Sequence, residues 1–320
     1  MRLIAGLAFC VAVLATAPAN AGLLGMQPTG TIRDDRPDAS YLSLATNYPS
    51  VGLIQNPLFL ASGTLIGADW VLTAAHVIVG VPANQYSFTV GGATYFGAEV
   101  FVEPTWTGSL YAGNDVALIR LASSVTNVAP ARYSGATSEV GRVGTYVGYG
   151  ATGTGTTGAT IPGGVQRAGQ NVLDVTADFF NGPGTPANRT YSDRILMSDF
   201  DSPFDPSESS IGSPNPLDLE FNVASGDSGG GLFIDFGFGD LLAGVTSFLA
   251  FGDDTANADY GDFSGATRTS SHVAFIQNTT GIAPASVPEP SSTVLLLTIA
   301  VAGGAWRSRR RFVTATERSA

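Results

Sequence analysis

Short apolar segments alternate with glycine, proline and asparagine along most of the chain. This pattern is typical of short β-strands joined by turns, as in a sandwich or a barrel. A proline-containing connection near residues 122–133 separates two groups of segments, and the second group starts near residues 144–148. The pattern predicts strands over residues 51–54, 62–66, 70–73, 86–90, 94–102 and 116–121, and then over 165–175, 194–197, 231–234 and 241–248.

Four stretches interrupt this pattern of strands. Residues 22–40 are polar and turn-rich, which predicts an extended leader. Residues 151–164 are mostly glycine and threonine, which favours a surface loop. Residues 198–220 are rich in proline, serine and aspartate, and are interpreted as an insertion. Residues 271–278 have apolar positions that predict a short closing helix.

The N-terminal end has the layout of a secretory signal. Arg2 is followed by an apolar run over residues 3–14 and then by the small residues Ala19 and Ala21. A charged start, an apolar middle and a small-residue cleavage site are the features of a signal peptide. We therefore predict a signal peptide over residues 1–21, whose removal takes away Cys10, the only cysteine. The body of the protein then contains no disulfide.

The C-terminal end carries a second targeting pattern. Pro288-Glu289-Pro290 precedes an apolar run over residues 293–306, and an arginine cluster follows at residues 307–311. The run is shorter than the roughly 20 apolar residues of an ordinary membrane span. The pattern resembles the PEP-CTERM sorting signal, which we place at residues 286–320. The resemblance implies a Gram-negative bacterium and an exosortase-type processing enzyme. An ordinary C-terminal anchor shares the first step, membrane insertion through the hydrophobic segment.

Charge excludes one class of partner. Residues 22–288 contain 24 acidic residues and nine arginines, a formal charge of −15, and the chain has no lysine. Nucleic-acid binding relies on basic surfaces that neutralise phosphates. The composition therefore argues against nucleic acid as a ligand.

Three short segments contain candidate catalytic residues. Ser228 lies in the glycine-rich stretch 225–231, where glycines allow close approach of a substrate and leave backbone N–H groups free for an oxyanion. His76 ends a Thr-Ala-Ala-His stretch and is suited to proton transfer near neutral pH. Asp115 lies at the start of an apolar strand, where a carboxylate is able to orient a histidine. Each also has a plain structural interpretation: a turn, a strand end and a strand start. The other histidine, His272, is interpreted as structural or exposed.

Taken together and in this order, the three segments resemble the trypsin-like (chymotrypsin-fold) serine peptidases. Weaker similarities lie at Gly148-Tyr149-Gly150, at residues 244–248 and at residues 267–270. The resemblance implies an all-β fold of two six-stranded antiparallel β-barrels, with the active site between them and a short C-terminal helix. It places the peptidase domain at residues 41–285, with a first barrel at about 41–130 and a second at about 131–280.

The resemblance also assigns roles to individual residues. It implies that His76 is the general base and then the acid, that Asp115 orients it, and that Ser228 is the nucleophile of an acyl-enzyme. The amides of Gly226 and Ser228 would form the oxyanion hole.

Substrate binding is assigned in the same way. Ser247, Phe248 and Leu249 would offer backbone to the substrate as an added strand, with Ser247 near the Asp–His pair. Asn222, six residues before Ser228, would lie at the base of the primary pocket. An asparagine there implies a preference for a neutral side chain over lysine or arginine.

Two departures from the family affect stability and activation. The cysteine that usually follows the histidine is Val77 here, so packing of Val, Ala and Gly must replace disulfides. No Ile-Val-Gly-Gly sequence begins the domain. In many relatives a freed N-terminus pairs with the aspartate before the nucleophile, here Asp227, and Ile32 is the nearest candidate end. Constitutive activity ranks slightly above activation by cleavage.

No cofactor is expected, with one candidate exception. Asp199, Asp201, Asp205 and Glu208 are oxygen-bearing side chains of the kind that bind calcium. Their spacing lacks a regular calcium-loop pattern, and a solvated loop is the alternative.

The sequence thus predicts a serine endopeptidase exported to the cell surface, outer envelope or extracellular matrix. Its partners would be a protein or peptide substrate, the sorting enzyme and, before processing, the membrane. A catalytically silent trypsin-fold protein that binds at the surface or in a biofilm matrix is the alternative. A non-peptide hydrolase that uses the same triad is a third interpretation.

Overall fold

The computed structural model describes residues 30–78, 80–182, 189–250, 252 and 257–287. The chain divides into two units, residues 1–285 and 286–320, and the secondary structure described below belongs to the first. The predicted signal peptide and most of the C-terminal sorting segment, including the apolar run over residues 293–306, lie outside the described residues. The strands are β1 (Thr31–Ile32), β2 (Val51–Gln55), β3 (Leu60–Gly67), β4 (Trp70–Thr73), β5 (Ser87–Val90), β6 (Ala93–Val102), β7 (Ala117–Leu121), β8 (Val143–Gly148), β9 (Thr152–Thr154), β10 (Gly158–Ile161), β11 (Arg167–Val172), β12 (Val175–Thr176), β13 (Ile195–Asp199), β14 (Phe221–Asn222), β15 (Gly231–Asp235), β16 (Asp240–Ala250) and β17 (Phe263–Arg268).

The first six long strands close into a barrel in the order β2-β3-β4-β7-β6-β5, with antiparallel neighbours throughout. Alternation explains why these segments form strands, since β5 turns Phe88 and Val90 inward and leaves Ser87 and Thr89 partly exposed. All six lie where the sequence pattern predicts strands. The barrel is filled by fully buried apolar side chains, among them Ile54, Leu65, Leu72, Phe88 and Leu118.

A seven-stranded antiparallel sheet follows, in the order β11-β8-β15-β16-β17-β13-β12. The all-β class and the chymotrypsin-type arrangement are confirmed. The second half differs in detail from the predicted six-stranded barrel. The edge of β11 pairs with the end of the insertion, where Gln170 N–H donates to the Leu219 carbonyl at 2.7 Å. β12 is only two residues long and remains at the opposite edge, so the sheet is a half-barrel.

A small third sheet has the order β10-β9-β1-β14. Its strand β1 pairs antiparallel with β14 and parallel with β9. Two segments of this sheet differ from what the sequence pattern predicts. The described part of the expected leader, residues 30–40, is integrated into the fold, and Thr31 is fully buried. The glycine- and threonine-rich stretch 151–164 forms the β9–β10 hairpin, with Thr152 buried. Small side chains allow this close strand packing.

Two short α-helices complete the described fold. α1 (Asp38–Ala45) follows Pro37 and buries Tyr41 and Ala45; the sequence pattern did not predict it. α2 (Val273–Thr280) ends at Gly281, whose φ of 77° suits a glycine, and it agrees with the predicted closing helix. Among the described residues, no helix has the length and apolar character needed to cross a membrane.

Candidate active site

Strand pairing brings His76 and Asp115 to the same end of the barrel. Thr73, the last residue of β4, pairs with Ala117, the first residue of β7. His76 follows Thr73 by three residues, in a 3₁₀ turn over Ala75–Val77. Asp115 precedes Ala117 by two. Since antiparallel strands run in opposite directions, the end of one lies beside the start of the other.

A chain of hydrogen bonds joins the three predicted catalytic side chains. The Nδ1 atom of His76 lies 2.7 Å from Asp115 Oδ2, and its Nε2 atom lies 2.8 Å from Ser228 Oγ. The carboxylate only accepts, so Nδ1 carries the proton of the neutral ring and Nε2 is free to accept the Ser228 hydroxyl proton. The His76 backbone N–H also donates to Asp115 Oδ1 at 2.8 Å. Asp115 is fully buried, whereas the His76 side chain is 31% exposed.

Ser228 lies on a turn between β14 and β15 that packs directly against the barrel. A Cβ on Gly229 would lie 2.0 Å from Thr73 Oγ1, so only glycine fits there. Ser62 of β3 fixes the turn twice: its N–H donates to the Ser228 carbonyl, and its hydroxyl donates to the Gly226 carbonyl, each at 2.9 Å. The sequence pattern identified Ser62 only as a strand residue. No local signal marks contacts that span more than 160 residues.

The amides assigned to the oxyanion hole are free of internal acceptors. Within the described residues, neither the Gly226 nor the Ser228 N–H donates a hydrogen bond to the protein. Gly226 has φ of 99°, a conformation that favours glycine and that turns its carbonyl toward Ser62. Both residues are partly exposed. The two N–H groups are therefore available to a ligand oxygen.

Asp227 is buried beneath this turn, and backbone amides surround its carboxylate. It accepts the N–H of Gly150 at 2.9 Å, of Ala224 at 2.9 Å and of Gly30 at 3.1 Å. The partner from the N-terminal segment is thus Gly30 and not Ile32, which lies in β1 opposite Phe221. Burial raises the pKa of Asp227 to about 7, and the three N–H donors oppose that rise.

The predicted substrate-binding residues differ in their burial and in their contacts. Ser247 donates its hydroxyl to Asp115 Oδ2 at 2.5 Å, so it lies beside the Asp–His pair. Asn222 is fully buried in β14, where its amide oxygen accepts the Ser264 hydroxyl and its Nδ2 atom has no partner. Phe248 is buried in an apolar cluster with Met197 and Phe263, whereas Leu249 is partly exposed.

Small apolar residues hold the surrounding loops together without disulfides. Ala151, Ala224 and Ala258 form a buried cluster, with Leu249 packed against it. The cluster joins the loop before β9, the loop before Ser228 and the loop before β17. Val77, after the histidine, is buried in the barrel core. Packing of alanine and valine therefore connects the loops, as the cysteine-free sequence predicts.

The four candidate calcium ligands do not share one site. Asp199 and Asp201 are buried, and Asp199 Oδ2 accepts the N–H groups of Ser210 and Ile211. Asp205 and Glu208 instead line an open cavity of about 230 Å³ beside Tyr260. In the described part of the chain, no three His, Cys, Asp or Glu side chains are arranged to hold a metal ion.

Burial and mutual repulsion perturb a set of carboxyl groups near the insertion. Burial, with repulsion from Asp199, raises the pKa of Asp174 and of Asp201 to about 7. Burial likewise raises the pKa of Glu220 to about 9. Asp201 is 6% exposed, and its Oδ1 atom has no hydrogen-bond partner. The sequence pattern did not predict that these carboxyl groups would be perturbed.

Comparisons with known proteins agree with this architecture. The trypsin family model matches residues 44–177, and the model of the PEP-CTERM protein-sorting motif matches residues 286–311. Chymotrypsin-like elastase family member 1 from Rattus norvegicus is 41% identical over 73 residues, which cover 20% of this chain. The chain spans 27% of the length of that curated relative. The resemblance recognised in the motifs is thereby confirmed: the chain contains a trypsin-like domain of chymotrypsin fold and a PEP-CTERM sorting motif.

Proposed function

We propose that the protein is an exported serine endopeptidase that uses His76, Asp115 and Ser228 as its catalytic triad. The observation that carries the proposal is the unbroken chain of hydrogen bonds from Asp115 through His76 to Ser228, at 2.7 and 2.8 Å. A nucleophile within reach of a base that a buried acid orients is the arrangement needed for acyl transfer.

The geometry supports a two-step hydrolysis. Ser228 Oγ attacks the peptide carbonyl carbon while His76 Nε2 takes the hydroxyl proton, and Asp115 stabilises the imidazolium that results. The N–H groups of Gly226 and Ser228 donate to the carbonyl oxygen as it becomes negative. The C–N bond then breaks, and His76 returns the proton to the leaving amine. Water repeats the sequence on the acyl-enzyme, which releases the acid and restores Ser228. None of these steps requires a cofactor.

Substrate binding is proposed along the end of β16. In this proposal, backbone groups of residues 247–249 pair with the substrate chain as an added strand, and Asn222 is assigned to the base of the primary pocket. The buried base holds an amide and the Ser264 hydroxyl, with no carboxylate in that pair. A neutral substrate side chain is therefore favoured over lysine or arginine, whose charge would be left unpaired.

Activity without a preceding cleavage is proposed from the surroundings of Asp227. Three backbone N–H groups already satisfy its carboxylate, and the one from Gly30 is a peptide nitrogen in the uncut chain. Activation by cleavage is the alternative. N-terminal sequencing and the intact mass of the secreted, active form distinguish the two.

Export and surface sorting are proposed from the two ends of the sequence. The predicted signal peptide over residues 1–21 would direct export, and the matched PEP-CTERM motif implies an exosortase-type partner. The hydrophobic segment before the terminal arginines would hold the protein in the membrane until processing. The proposed destination is the cell surface, outer envelope or extracellular matrix of a Gram-negative bacterium.

A fluorophosphonate probe tests the catalytic proposal. We expect covalent labelling of the wild type and none of Ser228→Ala at an equal melting temperature, because only an activated serine reacts with the probe. A folded wild type that does not react would favour the silent surface-binding alternative. Peptide and ester substrate panels then separate a peptidase from a non-peptide hydrolase.

A further inference from the structure

The second histidine is buried between two hydrogen-bond acceptors. His272 is 3% exposed and ends the 3₁₀ turn Thr269–His272 just before α2, so of its two interpretations, structural or exposed, the structural one fits this position. Its Nδ1 atom lies 3.2 Å from Glu103 Oε2, and its Nε2 atom lies 2.8 Å from the Gly113 carbonyl oxygen. A carbonyl and a carboxylate only accept hydrogen bonds.

The number of acceptors beside the His272 ring determines how many ring N–H groups are needed to satisfy them. A neutral imidazole has one N–H and satisfies one acceptor, whereas an imidazolium has two and satisfies both. Glu103, which directly follows β6, is the charged group that contacts the ring and supplies the balancing charge. Two arginines of the packed elements have other partners: Arg194 donates to Asn114, and Arg268 of β17 pairs with Glu139. The geometry therefore favours a doubly protonated His272.

The carbonyl that His272 binds belongs to the segment leading to the triad acid. Gly113 precedes Asp115 by two residues and has φ of 67°, in the left-handed region. A Cβ at this position would lie 2.6 Å from Arg194 Cβ, so the backbone is tightly enclosed. The next residue, Asn114, accepts from Arg194 Nη1 at 2.7 Å and donates to the Thr105 carbonyl at 3.3 Å. The backbone hydrogen bond from His272 completes this attachment.

We propose that His272 is a positioning residue for the catalytic acid, acting as an imidazolium that joins Glu103 to the Gly113 carbonyl and fixes the backbone of residues 113–115. The role rests on the proposed peptidase function, since it matters for catalysis only if Asp115 orients His76. Misplacing a catalytic group by about 1 Å costs roughly 100-fold in rate. Loss of one backbone anchor, with Asn114 still held, is expected to cost about tenfold.

Nitrogen NMR of ¹⁵N-histidine-labelled protein tests the protonation state without any turnover. The whole chain has only two histidines, so a His76→Gln sample assigns both rings. At pH 7 we expect both ring nitrogens of His272 in the wild type to be protonated. A ring with one protonated nitrogen would overturn the proposal. This experiment gives the same answer whether or not the protein is a peptidase.

Two isosteric substitutions test the positioning role. In His272→Gln the amide nitrogen replaces Nε2 and still reaches the Gly113 carbonyl; in His272→Asn it replaces Nδ1 and reaches only Glu103. Both remove the same charge. We expect His272→Asn to lower kcat about tenfold with KM changed less than about twofold, and His272→Gln to stay within about twofold of the wild type.

A second readout separates failure of this proposal from failure of the proposed function. The Nδ1 proton of His76 reports directly on its bond to Asp115. We expect its NMR signal to shift or broaden in His272→Asn and to stay unchanged in His272→Gln. Equal behaviour of the two variants in this signal would overturn the positioning role. If the wild type shows no turnover while the NMR signals of both histidines are as expected, only the peptidase assignment would be overturned.

Discussion

The closed barrel and the seven-stranded sheet differ in how many ionisable side chains they bury. In the described residues from Val51 to Leu121, Asp115 is the one Asp, Glu or Arg side chain that is buried. The second half of the fold buries Glu139, Arg167, Asp199, Asp201, Glu220, Asp227 and Asp262. The barrel thus holds an apolar core with one buried carboxyl group, that of Asp115 in the predicted triad. The sheet and its insertion combine apolar packing with many ionisable groups.

This difference indicates which half of the fold makes the stability of the protein depend on pH. The carboxyl groups with raised pKa values all lie on the sheet side; they are Asp174, Asp199, Asp201, Glu220 and Asp227. A carboxyl whose pKa is higher in the folded protein binds more protons there than in the unfolded chain. Stability then falls as pH rises from about 4 through the folded pKa values near 7 and 9.

The largest expected effect comes from breaking a paired charge on the sheet side. Arg268 contacts both oxygens of Glu139, which is fully buried. Arg268→Met would leave that carboxylate without its partner, so we expect a loss of about 3–5 kcal/mol in the free energy of unfolding. Urea unfolding at pH 7 measures it. A loss below about 1 kcal/mol would show that Ser270, which also donates to Glu139, is sufficient.

A smaller effect of opposite sign is expected at a carboxyl without a cation. Glu220→Gln mimics the protonated form, because the amide oxygen still accepts the Leu217 N–H that Glu220 Oε2 accepts at 2.5 Å. Since the pKa near 9 reflects a cost of ionisation, we expect Glu220→Gln to stabilise by about 2 kcal/mol at pH 8. The gain should shrink at pH 5. Thermal unfolding at the two pH values provides the measurement, with Glu139→Gln, expected to destabilise, as the matched control.

The smallest effect is expected on the barrel surface. Arg120 is about half exposed and lies 3.4 Å from both Asp69 and Glu99. Exposed ion pairs are screened by water and salt, so Arg120→Met should leave the melting temperature within about 2 °C. It removes the same charge as Arg268→Met. Equal destabilisation by the two variants would contradict the contrast between barrel and sheet.

Local pattern was sufficient for the barrel strands, whereas the three candidate catalytic residues were assigned from the resemblance of their motifs to a known family. Alternating apolar positions located the six strands, and the motifs around His76, Asp115 and Ser228 named residues that the fold brings together. The signal worked there because strand alternation and turn chemistry act within a few residues. α1 was missed because residues 22–40 were interpreted as a polar, turn-rich leader, whereas a helix begins at Asp38, directly after Pro37.

Features built from distant contacts were beyond the sequence pattern. Nothing in the local sequence distinguishes Ser62 from other serines in strands, and only the fold places it against Ser228. The half-barrel arose because the end of the insertion paired with β11, an outcome that depends on register and not on composition. The charge state of Glu220 depends likewise on burial and on neighbouring carboxyls supplied by another strand.

The hydrogen bond from Gly30 to Asp227 also constrains the order in which parts of the protein fold. It closes a loop of 197 residues, so the entropy of that closure must be offset before the bond forms. Residues 30–32 are synthesised early, yet their partner β14 is made late and their other partner β9 lies midway. Contacts of such long range form slowly in folding. The turn bearing Ser228 therefore receives its last amide donor near the end of folding, after the chain through Asp227 has left the ribosome.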